Sequence, residues 1–283
     1  MTTRLRYRRL VSDGWNLRII TEHWSGELWY EVLSHLRQHR PRRHPQTIIL
    51  NLDKAGRRRL FLKIFHPTDK LGLKDRLRDS KAFRFLKQGL ALSEAGFLTP
   101  VTIAAGEERR FGFLRQAFVV TIGLEGAPLP VFLAQRCRSG ADGFSIREKR
   151  NALRSLAQQV RRFHDLGFVH GDMVPSNILA CRDNADGLLF YFMDNDRTRR
   201  YPSWLPQGLW KRNLVQLNRM PLASISLQDR MRFFREYCGA KYSRAGNRRL
   251  LLWLETKTRR RRAECDAIDA EMSFRRLMIW QER

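Results

Sequence analysis

The 283 residues are 43% apolar, enough to bury a substantial core and too many for a disordered chain, and the length favours two lobes over one compact unit. Lys and Arg number 54 against 28 Asp and Glu, a net charge of +26, so the natural partner is polyanionic: nucleic acid, an anionic membrane or an acidic glycolipid. No apolar run approaches the ~20 residues needed to cross a bilayer, and polar groups interrupt the basic N-terminal stretch where a signal peptide would be apolar, which points to a cytoplasmic or peripheral protein.

Residues 1–44 read as a basic, aromatic extension, with Trp15, Trp24, Trp29 and Tyr30 among Arg and His. Such mixtures bind nucleic acid or membrane surfaces, or pack onto the domain that follows. Arg42, Arg43 and His44 stand in a basic loop. Thr47 to Leu52 and Arg59 to Phe65 then read as a hairpin. Within its second strand Leu60, Leu62 and Ile64 share one face, and Phe61, Lys63 and Phe65 the other. A lysine flanked by phenylalanines on its own face calls for an anion or a snorkelling edge position.

Asp79 to Ala95 has helical spacing at Phe83, Leu86 and Leu90 and a stop at Gly96, with Pro100 beyond. Val101 to Ala105 and Gln116 to Ile122 complete a small antiparallel sheet, and Gly123 to Pro128 reads as a hinge. A helix stripe through Ile146, Leu153, Leu156, Val160 and Phe163 ends at Gly167, with His164 on or near its packed face in a structural role.

The stretch Phe168-Val169-His170-Gly171-Asp172-Met173-Val174-Pro175-Ser176-Asn177 follows, then a short strand, a polar turn over Arg182 to Gly187, and an apolar strand closing on Asp194. It sets an acid and an amide five residues apart in a loop, with a second acid one hairpin later. That pattern suits phosphoryl transfer, in which one carboxylate orients a hydroxyl while an amide oxygen and another carboxylate hold a divalent cation. Beyond it, Arg197, Arg199 and Arg200 are either a solvated run or an anion site. Trp204 and Trp210, a helix starting near Lys211, an amphipathic helix over Asp229 to Cys238, and Arg244 to Arg262 with its four closing arginines would build the rest of a large lobe. Cys137, Cys181, Cys238 and Cys265 lack metal-site spacing and read as free thiols.

His170-Gly171-Asp172 with Asn177, then Asp194-Asn195-Asp196, resembles the catalytic core of the protein-kinase-like fold. Phe61-Leu62-Lys63, Glu94 to Pro100 and Asn213 to Arg219 make the chain look most like the lipopolysaccharide kinases that phosphorylate Kdo or heptose in the inner core. The resemblance implies an α+β, two-lobed fold, with a small antiparallel-sheet lobe over 45–124 and a mainly helical large lobe over 125–283. It implies ATP and Mg2+ as cofactors, Lys63 on the nucleotide phosphates, Asp172 as catalytic base, and Asn177 and Asp194 as metal ligands. The implied partners are an inner-core glycolipid and an anionic inner-membrane surface on its cytoplasmic side. No recognised nucleic-acid motif accompanies the charge. Two departures stand out: the glycine-rich phosphate loop is missing, and Phe85 occupies the helix position where kinases offer Lys63 a Glu. A small-molecule kinase of the antibiotic or choline type, or an inactive nucleotide-binding scaffold, are the competing readings.

Overall fold

The computed structural model describes residues 6–38, 46–51, 59–67, 76, 78–138, 146–182, 188–202, 204, 208–220 and 225–281. The basic loop with Arg42, Arg43 and His44, the hairpin tip at 52–58 and the turn at 183–187 lie outside them, as does the side chain of Cys137. The chain divides into two units, one of Met1–Gly126 with Tyr191–Thr198, the other of Ala127–Phe190 with Arg199–Arg283.

The first unit is a six-stranded antiparallel sheet in the order β1-β2-β5-β6-β4-β3. Its strands are β1 (Arg8–Ser12), β2 (Trp15–Ile19), β3 (Gln46–Asn51), β4 (Arg59–Phe65), β5 (Thr102–Arg110) and β6 (Phe113–Ile122). The hairpins β1-β2 and β5-β6 turn on Asp13-Gly14 and Phe111-Gly112, each with positive φ at both central residues. That backbone twist matches the right-handed twist of the strands it joins. Helix α1 (Gly26–Gln38) buries Leu28, Trp29, Val32, Leu33 and Leu36 against Leu60, Leu62, Ile64 and Phe118 on one sheet face. Helix α2 (Lys81–Glu94) covers the other face with Phe83, Phe85 and Leu86 against Phe65, Ala105 and Val119. It starts where Ser80 Oγ accepts the Phe83 N–H, a side-chain N-cap.

Residues 1–44, expected as an extension, instead supply β1, β2 and α1 to this unit. The reason is period-two burial. Trp15, Leu17 and Ile19 point into the core while Asn16 is exposed and Arg18 takes the opposite face over the Phe83 ring, so the basic composition conceals a strand. Trp29 stacks on Phe118 with ring centroids 6.1 Å apart, and its indole N–H donates to Asp13 at 2.7 Å. These tryptophans are therefore structural. Residues 191–198 also fall outside the expected large lobe. Phe192 N–H donates to Leu98 O at 2.9 Å, and the Phe192 ring meets Phe97 edge-on, so the segment is anchored to the sheet unit.

The second unit holds β7 (Ala127–Pro128), α3 (Leu129–Arg138), α4 (Ile146–Asp165), β8 (Phe168–Val169), β9 (Ile178–Arg182), the start of β10 (Leu188–Phe192), β11 (Arg199–Arg200), α5 (Leu209–Leu217), α6 (Leu227–Cys238) and α7 (Arg244–Gln281). Gly167 ends α4 and delivers the chain to β8. Its φ is +81°, and a Cβ there would lie 2.1 Å from Tyr201 O, so glycine is required twice over. Arg199 and Arg200 pair with Val169 and Phe168, and Arg200 Nε donates to Leu166 O at 3.2 Å. Arg200 is thus used in holding β8.

The four arginines at 259–262 are parted by helical geometry rather than forming one patch. Arg259 pairs with Glu255, Arg260 and Arg261 both pair with Glu264, and Arg262 turns inward to donate to Asn218 O at 2.8 Å and Met220 O at 3.0 Å. Arg230 of α6 donates to the same two carbonyls at 2.7 Å each. Two guanidinium groups so satisfy the free carbonyls beyond α5 and tie that helix to α6 and α7. Among the described residues no helix is long and apolar enough to cross a membrane.

Candidate active site

Lys63 and Asp194 lie in the first unit, and the structure brings them together as an ion pair. The lysine side chain is 20% exposed and the carboxylate 43%. Lys63 reaches this position because Leu60, Leu62 and Ile64 take the α1 side of β4, leaving Lys63 on the face shared with Phe65. Phe85 sits within the apolar layer under that face, so the carboxylate that secures Lys63 is Asp194 and does not come from the Phe85 position. Asp194 adopts the left-handed conformation, φ 55° and ψ 49°, which Asp tolerates better than most residues, and it leads into the short 3-10 turn Asn195–Arg197. Asn195 is buried and donates to Phe192 O at 2.8 Å, fixing that turn from beneath. Asp196 lies beside the pair. Burial, and then the neighbouring Asp194 charge, push its carboxyl above the usual range.

Asp172 and Asn177 lie in the second unit. Asn177 Nδ2 donates to Asp172 O at 2.9 Å, and its contact with Asp172 Oδ2 is longer, at 3.4 Å. Because a carbonyl oxygen can only accept, that bond fixes the amide orientation and turns Asn177 Oδ1 outward. On its other side, Asp172 Oδ1 accepts from Gln216 Nε2 at 3.2 Å.

Behind this loop lies an amide clamp that composition did not disclose. Asn213 of α5 accepts the His170 N–H at 2.9 Å and donates to His170 O at 2.5 Å. Gln216, one turn on, accepts the Met173 N–H and Asn213 Nδ2, each at 3.1 Å. Their i, i+3 spacing on α5 was the visible signal, but an amide pair becomes a clamp only when the loop's own backbone is its partner. His170 Nδ1 accepts the Asp172 N–H at 3.0 Å, so this imidazole shapes the loop.

His164 completes the clamp. Since Asn213 Oδ1 is fixed as an acceptor, the proton lies on His164 Nε2, 3.2 Å away, and Nδ1 accepts from the Tyr237 hydroxyl at 2.9 Å. Part of the residue's surface is open, yet the ring is crowded by Phe163, Tyr237 and Trp210. Burial there holds the imidazole pKa at about 4, below its ordinary 6.5. A base whose folded pKa is depressed takes up a proton more readily when unfolded. Stability from His164 is therefore full above pH 6.5 and declines as pH falls from 6.5 towards 4. Urea melts of the wild type should lose stability across that window, and His164→Gln should flatten part of the slope.

Among the described residues no three His, Cys, Asp or Glu side chains gather as a metal site. A divalent ion bound here would take most of its oxygens from a nucleotide, with single protein oxygens completing the shell, as magnesium prefers. In the second unit Asn177 Oδ1, and in the first the Asp194 oxygen turned from Lys63, each accept no hydrogen bond among the described residues.

An antiparallel sheet unit that sets a lysine against one carboxylate, followed by a unit whose loop carries another between two amides, defines a kinase. The model for the Lipopolysaccharide kinase (Kdo/WaaP) family matches residues 44–237, and the chain belongs to that family. The match spans Lys63, Asp172, Asn177, Asp194 and the Asn213–Gln216 clamp. Among solved structures, WaaP in complex with acyl carrier protein is 24% identical, with a TM-score of 0.57, over 78% of this chain and 87% of that one. The two share a two-lobed, kinase-like fold. The bifunctional kinase-methyltransferase WbdD is 18% identical, over 77% of this chain and 52% of its own, at a TM-score of 0.41. No curated protein sequence matches the chain.

Proposed function

We propose that the chain transfers the γ-phosphoryl group of ATP to a hydroxyl of Kdo or heptose in the lipopolysaccharide inner core. The observation that carries this reading is Asp172, held by amides on both sides and standing on the wall of an open cavity of about 610 Å³. Magnesium-bound ATP would supply the electrophilic phosphorus and neutralise its oxygens.

The protein's own groups do the rest. Asp172 accepts a hydrogen bond from the sugar hydroxyl and takes its proton as the oxygen attacks. The amides of Gln216 and Asn177 keep the carboxylate turned towards that oxygen, which is positioning rather than proton transfer. Lys63, freed from Asp194 by an incoming triphosphate, pairs with phosphate oxygens. Asn177 and Asp194 offer the oxygens that hold the ion. The inactive-scaffold reading rested on Phe85 and on the missing glycine-rich loop, and the carboxylate that Asp194 offers Lys63 answers the first of these.

The acceptor would be met at the cytoplasmic face of the inner membrane. The net charge of +26 supports attraction to anionic lipid, although local acids already engage part of the arginine run near the C-terminus. Purified protein incubated with γ-labelled ATP and lipid A-core acceptors should transfer label to a Kdo- or heptose-bearing glycan. Absence of transfer to every such acceptor would overturn the proposal.

A further inference from the structure

The cavity beside Asp172 has a second feature: its walls are basic. Helix α5 contributes Arg212, and Arg219 follows two residues past its end, in helical register with Gln216. Helix α7 contributes Trp253, Lys257, Arg260 and Arg261, spaced to present one stripe to the same space. Among the described residues of the lining, five cations stand against Asp172 and Glu264.

The cations differ in how far they are already used. Arg260 and Arg261 share Glu264, at 3.1 Å and 2.7 Å, and Arg219 lies 2.9 Å from Cys265 Sγ. Arg212 and Lys257 make no ion pair or hydrogen bond among the described residues, although both face a cavity with the carboxylate they could neutralise. Trp253 is 40% exposed on this wall. An indole open on a charged cavity offers an apolar face to a partly apolar ligand.

The helices that carry these groups are locked to one another. Asn218 donates to the buried Thr258 at 3.1 Å, and Arg262 holds the carbonyls that follow α5. The cavity is therefore a built feature of rigid elements rather than a gap between loops. Helix α7 also lies beyond residues 44–237, so this wall is supplied by a part of the chain outside the family match.

We infer that this cavity is the acceptor subsite. Arg212 and Lys257 bind an anionic substituent of the acceptor sugar, a carboxylate or a phosphate, and Trp253 covers the apolar face of its ring, so that a neighbouring hydroxyl is presented to Asp172. A planar guanidinium and an ammonium suit either anion. The inference rests on the proposed sugar-kinase reading and specifies what that sugar must carry: a negative charge one ring or less from the hydroxyl that reacts.

The test is a calorimetric titration of the full chain, read without turnover, using deacylated core oligosaccharide as the probe. Three forms are compared: intact, carboxyl-reduced and enzymatically dephosphorylated. The wild type should bind the intact glycan with a Kd that rises with salt. Arg212→Ala with Lys257→Ala should weaken that binding about 30-fold, as loss of two charge-assisted contacts would. Whichever neutralised glycan already binds the wild type that weakly identifies the recognised group, and the double variant should bind it no more weakly still. Trp253→Ala should weaken all three glycans, and Trp253→Phe should restore most of the loss.

The inference is overturned if the wild type binds no core glycan, if the double variant binds the intact glycan normally, or if it loses intact and neutral glycans equally. A melting temperature within a few degrees of wild type separates lost recognition from lost folding. Label transfer is scored in a separate assay. Transfer without charge discrimination sinks the subsite alone, whereas absence of transfer to any acceptor sinks the kinase reading beneath it.

Discussion

Asp172→Asn should lower kcat for sugar phosphorylation by about 10²- to 10⁴-fold, the usual worth of a positioned general base. The substitution preserves size, and an amide oxygen in place of Oδ1 still accepts from Gln216 Nε2, now 3.2 Å away. The main-chain bonds around the residue do not involve its side chain: Asp172 N–H donates to His170, and Asp172 O accepts from Asn177. The loop should therefore keep its shape, and the acceptor KM should change little, since ground-state contacts survive while the proton acceptor is lost. Steady-state kinetics at saturating ATP measure both parameters. A kcat within threefold of wild type would remove Asp172 from the proton-transfer step.

Lys63→Met should cost about 10²- to 10³-fold in kcat, comparable to removing one pre-positioned electrostatic group from a transition-state site. Methionine retains the apolar stem that lies along β4 near Phe65, so packing is largely conserved. What disappears is the positive charge facing Asp194 and Asp196. The Asp196 carboxyl is already raised by burial and by Asp194, with Lys63 opposing that rise, so the variant should push it higher still. The acid limb of the pH-rate profile should then move to higher pH in Lys63→Met. Unchanged kcat, ATP KM and pH profile would show that the Lys63–Asp194 pair is merely structural.

These effects differ in how readily they could be read from the sequence. Lys63 was legible because a strand alternates strictly: once Leu60, Leu62 and Ile64 are core, Lys63 must face the other way. The ends of α2 and α4 were legible as well. Ser80 caps locally, and Gly96 and Gly167 have φ values of 78° and 81° that other residues seldom adopt. The Asp172 to Asn177 spacing lets the Asn177 side-chain amide donate to the Asp172 carbonyl.

Long-range partners were not legible in this way. Nothing local distinguishes Asn213 from any helix amide, because its meaning lies in the backbone of His170, 43 residues earlier. Asp194 as the partner of Lys63 spans 131 residues. In the N-terminal strands, outward-facing basic residues masked a two-residue period. In the run Arg259 to Arg262, four identical neighbours cannot be told apart in the sequence, whereas helix geometry sends them to different partners. The substrate wall carried by Trp253 and Lys257 was hidden for the same reason: α7 alone is a basic helix, and it becomes a site only opposite α5 and Asp172.

The proposed function requires one divalent ion to be held by Asn177 and Asp194 together when nucleotide is bound. Crystals of the chain grown with a non-hydrolysable ATP analogue and Mn2+ would locate that ion by its anomalous scattering. The predicted result is an ion ligated by Asn177 Oδ1 and Asp194 and by phosphate oxygens, with Lys63 on the triphosphate and Asp172 nearby but not a ligand. An ion held elsewhere, or Asp172, Asn177 and Asp194 directed into separate regions with nucleotide bound, would contradict it.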